Sequence, residues 1–508
     1  MGGAWDTWLD GALGALENSM LLRSLRPLVL SEPDGNEDGG DCNQHTLQTF
    51  EDLGPWDRAG VEVKTSQVTV DAWLSASTST GEDIHSLNDS VGGKGAKEEF
   101  HKLLLFSGND YLGLSVHPAV RRAAAEAAVE FGMGPRASPL VCGYTSHHRR
   151  LESTLAELKD TEECLLCPTG FSANMAVLTA ITSVVPGRNE DKESPVAIFS
   201  DALNHASIVD GVRVSQRQSN AEVYIYRHND MMHLHQLLTN CKRERKVVIT
   251  DSLFSMDGDF AFMKELSALR KQHDFLWIID EAHGTLVCGE SGGGVAEAFG
   301  VQEYVDIHVG TLSKAIGCHG GFIASSRKWK QWIQTRGRSF IFSTALPVPV
   351  VAAAHAAIMV AKKEKWRQHK VWALVRQFSE ATGLIFTSPI APILFGDADA
   401  ALEASRDALF CRKLLAKGFH VPAIRPPTVP VGSSRLRITF SAGHTAADVE
   451  ALVKALSHWT KTKGPSLNFL PSPVYWFPAS LTDSKTLKLL LGNNREVQSK
   501  KVRLRPKL

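Results

Sequence analysis

FLWIIDEAHG (275–284) and DIHVGTLSKAIGCHGG (306–321) decide how this chain is read. In the first, the apolar run Phe275 to Ile279 empties straight into Asp280, with His283 three residues on. In the second, a shorter apolar run opens into a Ser-Lys turn that holds Thr311 and Lys314. Runs of this kind predict buried strands, and in open α/β sheets the side chains at their carboxyl ends face the ligand crevice. A carboxylate, an imidazole and an amine gathered there suit pyridoxal 5′-phosphate. Lysine forms a Schiff base with its aldehyde, and an aspartate partners the pyridine nitrogen so that the ring can draw in electrons.

Taken singly, each residue has an ordinary explanation. A lone lysine is a solvated charge, and an aspartate after a strand is often a helix cap. The string DEAH (280–283) also occurs in nucleotide-driven helicases, but that chemistry needs a phosphate loop of the form G-x-x-x-x-G-K-[ST]. None is present, and the nearest string, Gly93-Lys94, runs on into Gly95. The combination carries the cofactor reading.

Outward from this stretch, the apolar runs CLLC (164–167), PVAIFS (195–200), EVYIY (222–226), KVVIT (246–250) and GFIA (321–324) alternate with helical stretches. That βα alternation predicts an α/β fold with a large, mostly parallel sheet covered on both faces. Upstream, Pro118 opens an Ala-rich helix to Phe131, and Leu151, Leu155 and Leu158 mark a second. Val61 to Val70 alternates as strands do. Past residue 345 the pattern changes to that of a smaller α+β domain. It ends in a helix capped by Thr445, with Val449, Leu452, Val453 and Leu456 on one face.

The expected divisions are an N-terminal segment 1–116, the α/β domain 117–345, the α+β domain 346–462 and an extension 463–508. Residues 1–30 read as an amphipathic helix ending near Pro27. Residues 31–45 and 75–99 are rich in Gly, Ser and acids, and read as flexible insertions.

The 508 residues carry 55 Lys and Arg against 55 Asp and Glu, so no global positive field marks a nucleic-acid partner. No apolar run reaches bilayer length, and no membrane partner is expected. The N-terminus lacks the basic and apolar regions of a secretory signal, and Asp6 stands where myristoylation needs Ser or Thr. Eight cysteines in so long a chain point to reduced thiols in an intracellular enzyme. Cys164 and Cys167 form a C-x-x-C without a second pair, which predicts core thiols and no metal site. The terminal Pro506-Lys507-Leu508 is similar to the peroxisomal S-K-L signal, making the peroxisome the expected location and the cytosol the alternative.

Further motifs supply what a phosphorylated cofactor and an amino-acid substrate require. CPTGFSANMAV (167–177) runs from a strand through Gly170 and Phe171 into a helix, where backbone N–H groups and the dipole can hold a phosphate. Ser255, Thr311 and the pair Ser343 and Thr344 offer hydroxyl donors. His205 follows the strand PVAIFS and can stack on a ring placed at that edge. In AIRPPTVPVGSSRLRITF (423–440), prolines stiffen a loop carrying Arg425, Thr428, Arg435 and Arg437, and arginines are the usual grip on a carboxylate.

NDYLGL (109–114), TGFSAN (169–174), NHAS (204–207), FSMDGD (254–259), DEAHG (280–284), GTLSKA (310–315), FSTALP (342–347) and RPPTVP (425–430) occur together and in this order. This set resembles the α-oxoamine synthases, which condense an amino acid with an acyl-CoA and release carbon dioxide. The resemblance covers most of 103–460 and implies the pyridoxal-phosphate-dependent transferase fold of type I, acting as a homodimer with sites at the interface.

It further implies that Lys314 carries the cofactor, Asp280 pairs with the pyridine nitrogen, His283 contacts the ring oxygen and His205 stacks on the ring. Gly170, Phe171, Ser255 and Thr311 would hold the cofactor, with Ser343 or Thr344 reaching the phosphate of the partner subunit. Arg23, Asn109, His205, Arg425, Thr428 and Arg437 would face the substrates. IRPPTVP and FSMDGD are most similar to the members that join L-alanine to pimeloyl-CoA in biotin synthesis. Sister synthases that use glycine or serine with acetyl-, succinyl- or palmitoyl-CoA share the lysine motif and remain open, as does a non-catalytic partner subunit, against which Lys314 speaks.

Overall fold

The computed structural model describes residues 29–30, 47–67, 69–70, 100–183, 195–219, 221–394, 413–426, 428–460, 476 and 478. The expectations for the first helix with Arg23, for the insertions 31–45 and 75–99 and for the terminal tripeptide lie outside the described residues.

In chain order the strands are β1 (Val29–Leu30), β2 (Glu62–Ser66), β3 (Phe100–Leu105), β4 (Glu163–Cys167), β5 (Ala197–Asp201), β6 (Glu222–Tyr226) and β7 (Lys246–Asp251). They continue as β8 (Leu276–Asp280), β9 (Ile307–Thr311), β10 (Gly321–Ser325), β11 (Ile390–Leu394), β12 (Phe419–His420), β13 (Ala423–Ile424) and β14 (Arg435–Thr439). The helices used below are α1 (Pro118–Phe131), α2 (Ser146–Leu158), α3 (Gly170–Ile181), α4 (Ala206–Ser219) and α5 (Ala446–Thr460).

A seven-stranded sheet, in the order β4-β10-β9-β8-β7-β5-β6, forms the centre. All seven runs read as strands in the sequence belong to it. β6, β5, β7, β8 and β9 pair in parallel, whereas β10 runs antiparallel to both β9 and β4. The reason is the connection. Only the Ser-Lys turn separates β9 from β10, and a parallel neighbour needs a crossover of a dozen residues or more.

Along β8, Trp277 and Ile279 pack into one core cluster while Ile278 packs into another, and β5, β7 and β10 alternate likewise. The sheet therefore separates two cores, and burial on both faces is why its strands read as unbroken apolar runs. Each fully buried Ile, Val or Phe contributes roughly 1.5–3 kcal/mol. Cys164 and Cys167 lie in these cores as free thiols, as expected from CLLC.

Helix α1 starts at Pro118 and ends at Phe131, and α2 buries Leu151, Leu155 and Leu158, both as read from the sequence. Helix α5 begins at a reciprocal cap: Asp448 N–H donates to Thr445 Oγ1 (3.2 Å), and Thr445 N–H donates to Asp448 Oδ2 (2.7 Å). Val449, Leu452 and Leu456 are buried beneath it.

Two sheets flank the centre, an antiparallel β11-β14-β13 and a four-stranded β1-β2-β3-β12. In the second, β3 pairs in parallel with β12, more than three hundred residues later in the chain. The strand expected over 61–70 stops at Ser66, and residues 69–70 are helical. Arg367, fully buried, reaches Asp57 Oδ1 (2.8 Å) and the Leu112 carbonyl (3.1 Å) and pairs with Glu364 (2.5 Å). These bonds fasten the N-terminal part to the NDYLGL segment, whose next task is at the site.

Candidate active site

The carboxyl ends of β7, β8 and β9, with the loop after β5, bring the predicted residues together. Asp280 closes β8, in register beside Asp251 at the end of β7. Thr311 closes β9, and the turn after it presents Lys314. The turn closes where Gly317 N–H donates to the Lys314 carbonyl (2.8 Å). Gly317 has φ +71, and a Cβ there would lie 2.4 Å from Ser115 N, so only glycine fits.

Lys314 Nζ lies 2.8 Å from His283 Nε2, and His283 Nδ1 lies 2.7 Å from Tyr111 Oη. Tyr111 donates to Asn109 Oδ1 (3.5 Å), which also accepts from Arg437 Nη2 (3.1 Å), and Arg437 Nε donates to the Ser255 carbonyl (2.5 Å). One continuous chain thus joins Lys314, His283, Tyr111, Asn109, Arg437 and Ser255. Asp280 accepts from Asn174 Nδ2 (2.6 Å) and from Ala282 N–H (2.8 Å). His205 N–H donates to Asp251 Oδ2 (3.0 Å), and Asp251 N–H donates to Asn204 Oδ1 (2.8 Å).

Burial tunes this group. It pulls the Lys314 amine down to about 8, against the attraction of Asp280 and Asp251, which favours the charged form. Burial also holds His283 well below the usual histidine range, reinforced by the charges of Lys314 and Arg437. Asp251 is pushed well above the usual carboxylate range, first by burial and then by the neighbouring charge of Asp280. Burial raises the Tyr111 phenol to about 12. An amine of lowered basicity beside an imidazole kept neutral by burial, with two carboxyl groups near, is an arrangement able to exchange protons.

Gly170 opens α3, and Thr169 caps the helix by accepting from Ser172 N–H (3.0 Å). A Cβ at Gly170 would stand 3.1 Å from Thr311 Cβ, so the glycine lets the helix N-terminus lie against the end of β9. Thr311 Oγ1 donates to the Gly320 carbonyl (3.0 Å), and Ser313 Oγ lies 2.8 Å from it. Phe171 is exposed on the first turn. Ser343 Oγ donates to the Ser339 carbonyl, and Ser339 Oγ to the Ser172 carbonyl, both at 2.7 Å, which straps the 339–344 segment to the start of α3.

Arg425 and Thr428 form a turn in the β13–β14 hairpin, with Thr428 N–H bonded to the Arg425 carbonyl (2.9 Å) and Thr428 exposed. Arg435 differs from the expected carboxylate grip, since it is tied to Asp257 Oδ1 (2.5 Å) and the Met256 carbonyl (3.2 Å). Alternation along β14 explains this: Arg435 and Arg437 share a face but stand two residues apart, over different parts of the FSMDGD loop.

Sequence reasoning passed over Tyr111, Asn174, Ser207, Asn204 and Asp251. Each lies inside or beside a quoted motif, but its role is a bond to another side chain, which no local pattern announces.

A family model described as aminotransferase class I and II matches residues 101–456. The chain belongs to that family. Within the aminotransferase class I and II family, it is 56% identical over 468 residues to the 8-amino-7-oxononanoate synthase of Arabidopsis thaliana, covering 89% of this chain and 95% of the relative. It is 43% identical to the 8-amino-7-oxononanoate synthase of Anaeromyxobacter dehalogenans, covering 69% and 84%. Among solved structures, Sphingomonas wittichii serine palmitoyltransferase matches with a TM-score of 0.64 at 29% identity, over 70% of this chain and 87% of that one. The 8-amino-7-oxononanoate synthase of Francisella tularensis, at 23% identity and a TM-score of 0.57 over 71% and 97%, shares the fold.

The fold is therefore the type I fold of pyridoxal-phosphate-dependent transferases, and the chain is a pyridoxal 5′-phosphate-dependent acyltransferase of the α-oxoamine synthase group. The residues fit that cofactor. An amine of lowered basicity, a carboxylate at a strand end and a helix N-terminus cleared by Gly170 answer its aldehyde, ring nitrogen and phosphate in turn.

Proposed function

We propose that this site performs the decarboxylative condensation of L-alanine with pimeloyl-CoA, giving 8-amino-7-oxononanoate, coenzyme A and carbon dioxide. The function is that of an 8-amino-7-oxononanoate synthase, the activity named in a relative that covers 89% of the chain and in another that covers 69% of it. The observation that carries the residue assignment is the Lys314 amine, lowered to about 8 and 2.8 Å from His283 Nε2.

Pyridoxal 5′-phosphate, when bound, supplies the electron sink that makes the α-carbon of alanine acidic. Lys314 would hold it and then, as a free amine, take the α-proton. A pKa near 8 places that amine close to working pH, where a general base is most effective. Asp280 would keep a proton on the ring nitrogen, and the N-terminus of α3 with Thr311 and Ser255 would hold the phosphate. Arg437, anchored by Ser255 and Asn109, is the cation best supported for the substrate carboxylate. Arg425 and Thr428, in the adjoining turn, are assigned to the acyl substrate.

We also infer a homodimer. Leu140, Val141, Tyr144 and Phe342 are exposed apolar side chains on two segments joined by Ser138 Oγ to the Ile341 carbonyl (2.8 Å) and Arg136 to the Ala345 carbonyl (3.2 Å). Such a patch supports burial against a second copy, and Ser343 and Thr344 would then serve the partner's phosphate.

Release of coenzyme A by the purified protein, with alanine, glycine or serine against pimeloyl-, acetyl-, succinyl- and palmitoyl-CoA, tests the reading. Release confined to alanine with pimeloyl-CoA is expected. Preference for another pair would overturn the substrate assignment and leave the acyltransferase chemistry standing.

A further inference from the structure

Asp280 and His205 are joined by a chain of two side chains, Asn174 and Ser207. Asn174 Nδ2 lies 2.6 Å from Asp280 Oδ2 and 2.9 Å from Ser207 Oγ. Ser207 Oγ in turn lies 2.8 Å from His205 Nδ1. The chemistry of the groups fixes the direction of the two Asn174 bonds. A carboxylate only accepts, so the Asn174 atom facing Asp280 is its NH2, and both its hydrogens are spent, one on Asp280 and one on Ser207. The Ser207 oxygen accepts in that contact, and its single hydrogen is free to go to His205 Nδ1, a direction the next donor selects.

A second donor points at the same nitrogen. Ser207 N–H lies 3.2 Å from His205 Nδ1, and the N–H groups of Ile208 and Val209 donate to the His205 carbonyl. His205 is therefore the N-cap of α4, and its ring nitrogen accepts as capping oxygens do. The positive end of the helix dipole opposes a proton there as well. Nδ1 is an acceptor twice over, so the ring proton belongs on Nε2. Desolvation by the surrounding site lowers the basicity of His205 although the residue is partly open to solvent, which agrees with a neutral ring.

Asn174 is fully buried within α3, and its Oδ1 meets no donor among the described residues. A helix interior favours alanine or leucine over asparagine, and a buried amide with an idle oxygen is unfavourable. Packing alone does not select it. We propose that Asn174 is a positioning residue which orients the Asp280 carboxylate and, through Ser207, fixes His205 as the Nε2–H tautomer.

The consequence for catalysis rests on the cofactor reading above, whereas the proton arrangement does not. With one oxygen of Asp280 held by Asn174 and the other by Ala282 N–H, the carboxylate cannot swing away from a ring nitrogen placed before it. With its proton on Nε2, His205 keeps one hydrogen-bond donor for whatever lies against that edge. One amide thus aligns the groups expected at the ring nitrogen and at the ring face.

The test is histidine 15N spectroscopy of the cofactor-free protein, with His205 assigned through His205→Gln, followed by kinetics of the loaded enzyme. Wild type is expected to show a protonated Nε2 and an unprotonated Nδ1. Asn174→Leu, close in size, is expected to bring in the Nδ1–H form and to lower kcat roughly tenfold to a hundredfold, as loss of an outer-shell partner does. KM for alanine and the melting midpoint should change little. Ser207→Ala should move the same resonances, and Ser207→Thr, which keeps the hydroxyl, should not.

A proton on Nδ1 in wild type would overturn the proposal. So would an Asn174→Leu enzyme with unchanged kcat and unchanged His205 signals, or one whose lost activity follows only a lost melting point. If wild type fails to condense alanine with pimeloyl-CoA, the substrate reading fails, and the spectra still decide the tautomer.

Discussion

Asp280 and Glu281 are consecutive acids at the end of β8, and each answers to a lysine. Glu281 is sealed: Oε2 meets Lys159 Nζ at 2.5 Å, and Oε1 accepts from Ala296 N–H at 2.9 Å. Lys159 spends its other hydrogens on Thr285 Oγ1 (2.9 Å) and the Gly293 carbonyl (2.5 Å), and both side chains are fully buried. Asp280, one residue earlier, faces the opposite way, toward the crevice. The Lys314 amine has a single hydrogen-bond partner among the described residues, His283, and the residue is only partly buried. A charge whose valences are all met inside the protein is scaffold, and one left with valences to spare is chemistry. Glu281 ties down the turn that carries His283, so the closed pair holds the open one in place.

The comparison breaks most visibly at the lysines. Lys314→Ala is expected to fold normally and to lose activity by at least roughly 10²–10⁴-fold, the share of a general base alone. Coenzyme A release and a melting curve on the same sample check this, and full turnover would remove Lys314 from the mechanism.

Lys159→Met should do the reverse. It strands Glu281 without a counter-charge and should cost about 3–5 kcal/mol of stability. Lys159→Met combined with Glu281→Leu should recover most of that loss in urea unfolding. If the double variant is no more stable than the single one, the pair is not the closed unit described.

A third test is titration. In the folded protein the Lys314 amine titrates near 8, against 10.5 for an ordinary lysine. Below about 8 the protein must hold the ammonium in a site that solvates it less well than water does, which is unfavourable. Between the two values the unfolded chain binds the proton and the folded chain does not, so stability from this group rises with pH. The cofactor-free Lys314→Met variant should therefore exceed wild type in melting midpoint below pH 8, with the difference closing toward pH 10.5. A difference independent of pH would contradict the shifted amine.

The smallest effect is expected at Tyr111→Phe. It removes a 2.7 Å bond to His283 Nδ1, worth about 1 kcal/mol and hence about fivefold in kcat. An unchanged kcat would show that Tyr111 merely packs against His283.

What was legible in the sequence followed from local chemistry. Phe275 to Asp280 announced a buried strand ending in an acid, Pro118 announced a helix start, and Thr445 announced a cap. Antiparallel β10 was hidden because an apolar run gives no direction, and only the shortness of the 312–320 connection betrays it. The pairing of β3 with β12 was hidden because two-residue strands carry no period, and their partners lie hundreds of residues apart.

At the site, the residues proposed to meet the cofactor, Asp280, Thr311 and Lys314, lie at or just past strand ends, a position that an apolar run announces. Tyr111, Asn174 and Ser207 act through another side chain, so only the folded arrangement reveals them. Arg435 read like Arg437 in the sequence, and which one faces Asn109 and which one Asp257 depends on where the FSMDGD loop folds over β14.

Borohydride reduction of the cofactor-loaded enzyme, followed by peptide mass mapping, tests the division between the two lysines most directly. The reduced cofactor is expected on the peptide containing Lys314, with Lys159 unmodified. A label on Lys159, or on any other lysine with Lys314 unmodified, would contradict it.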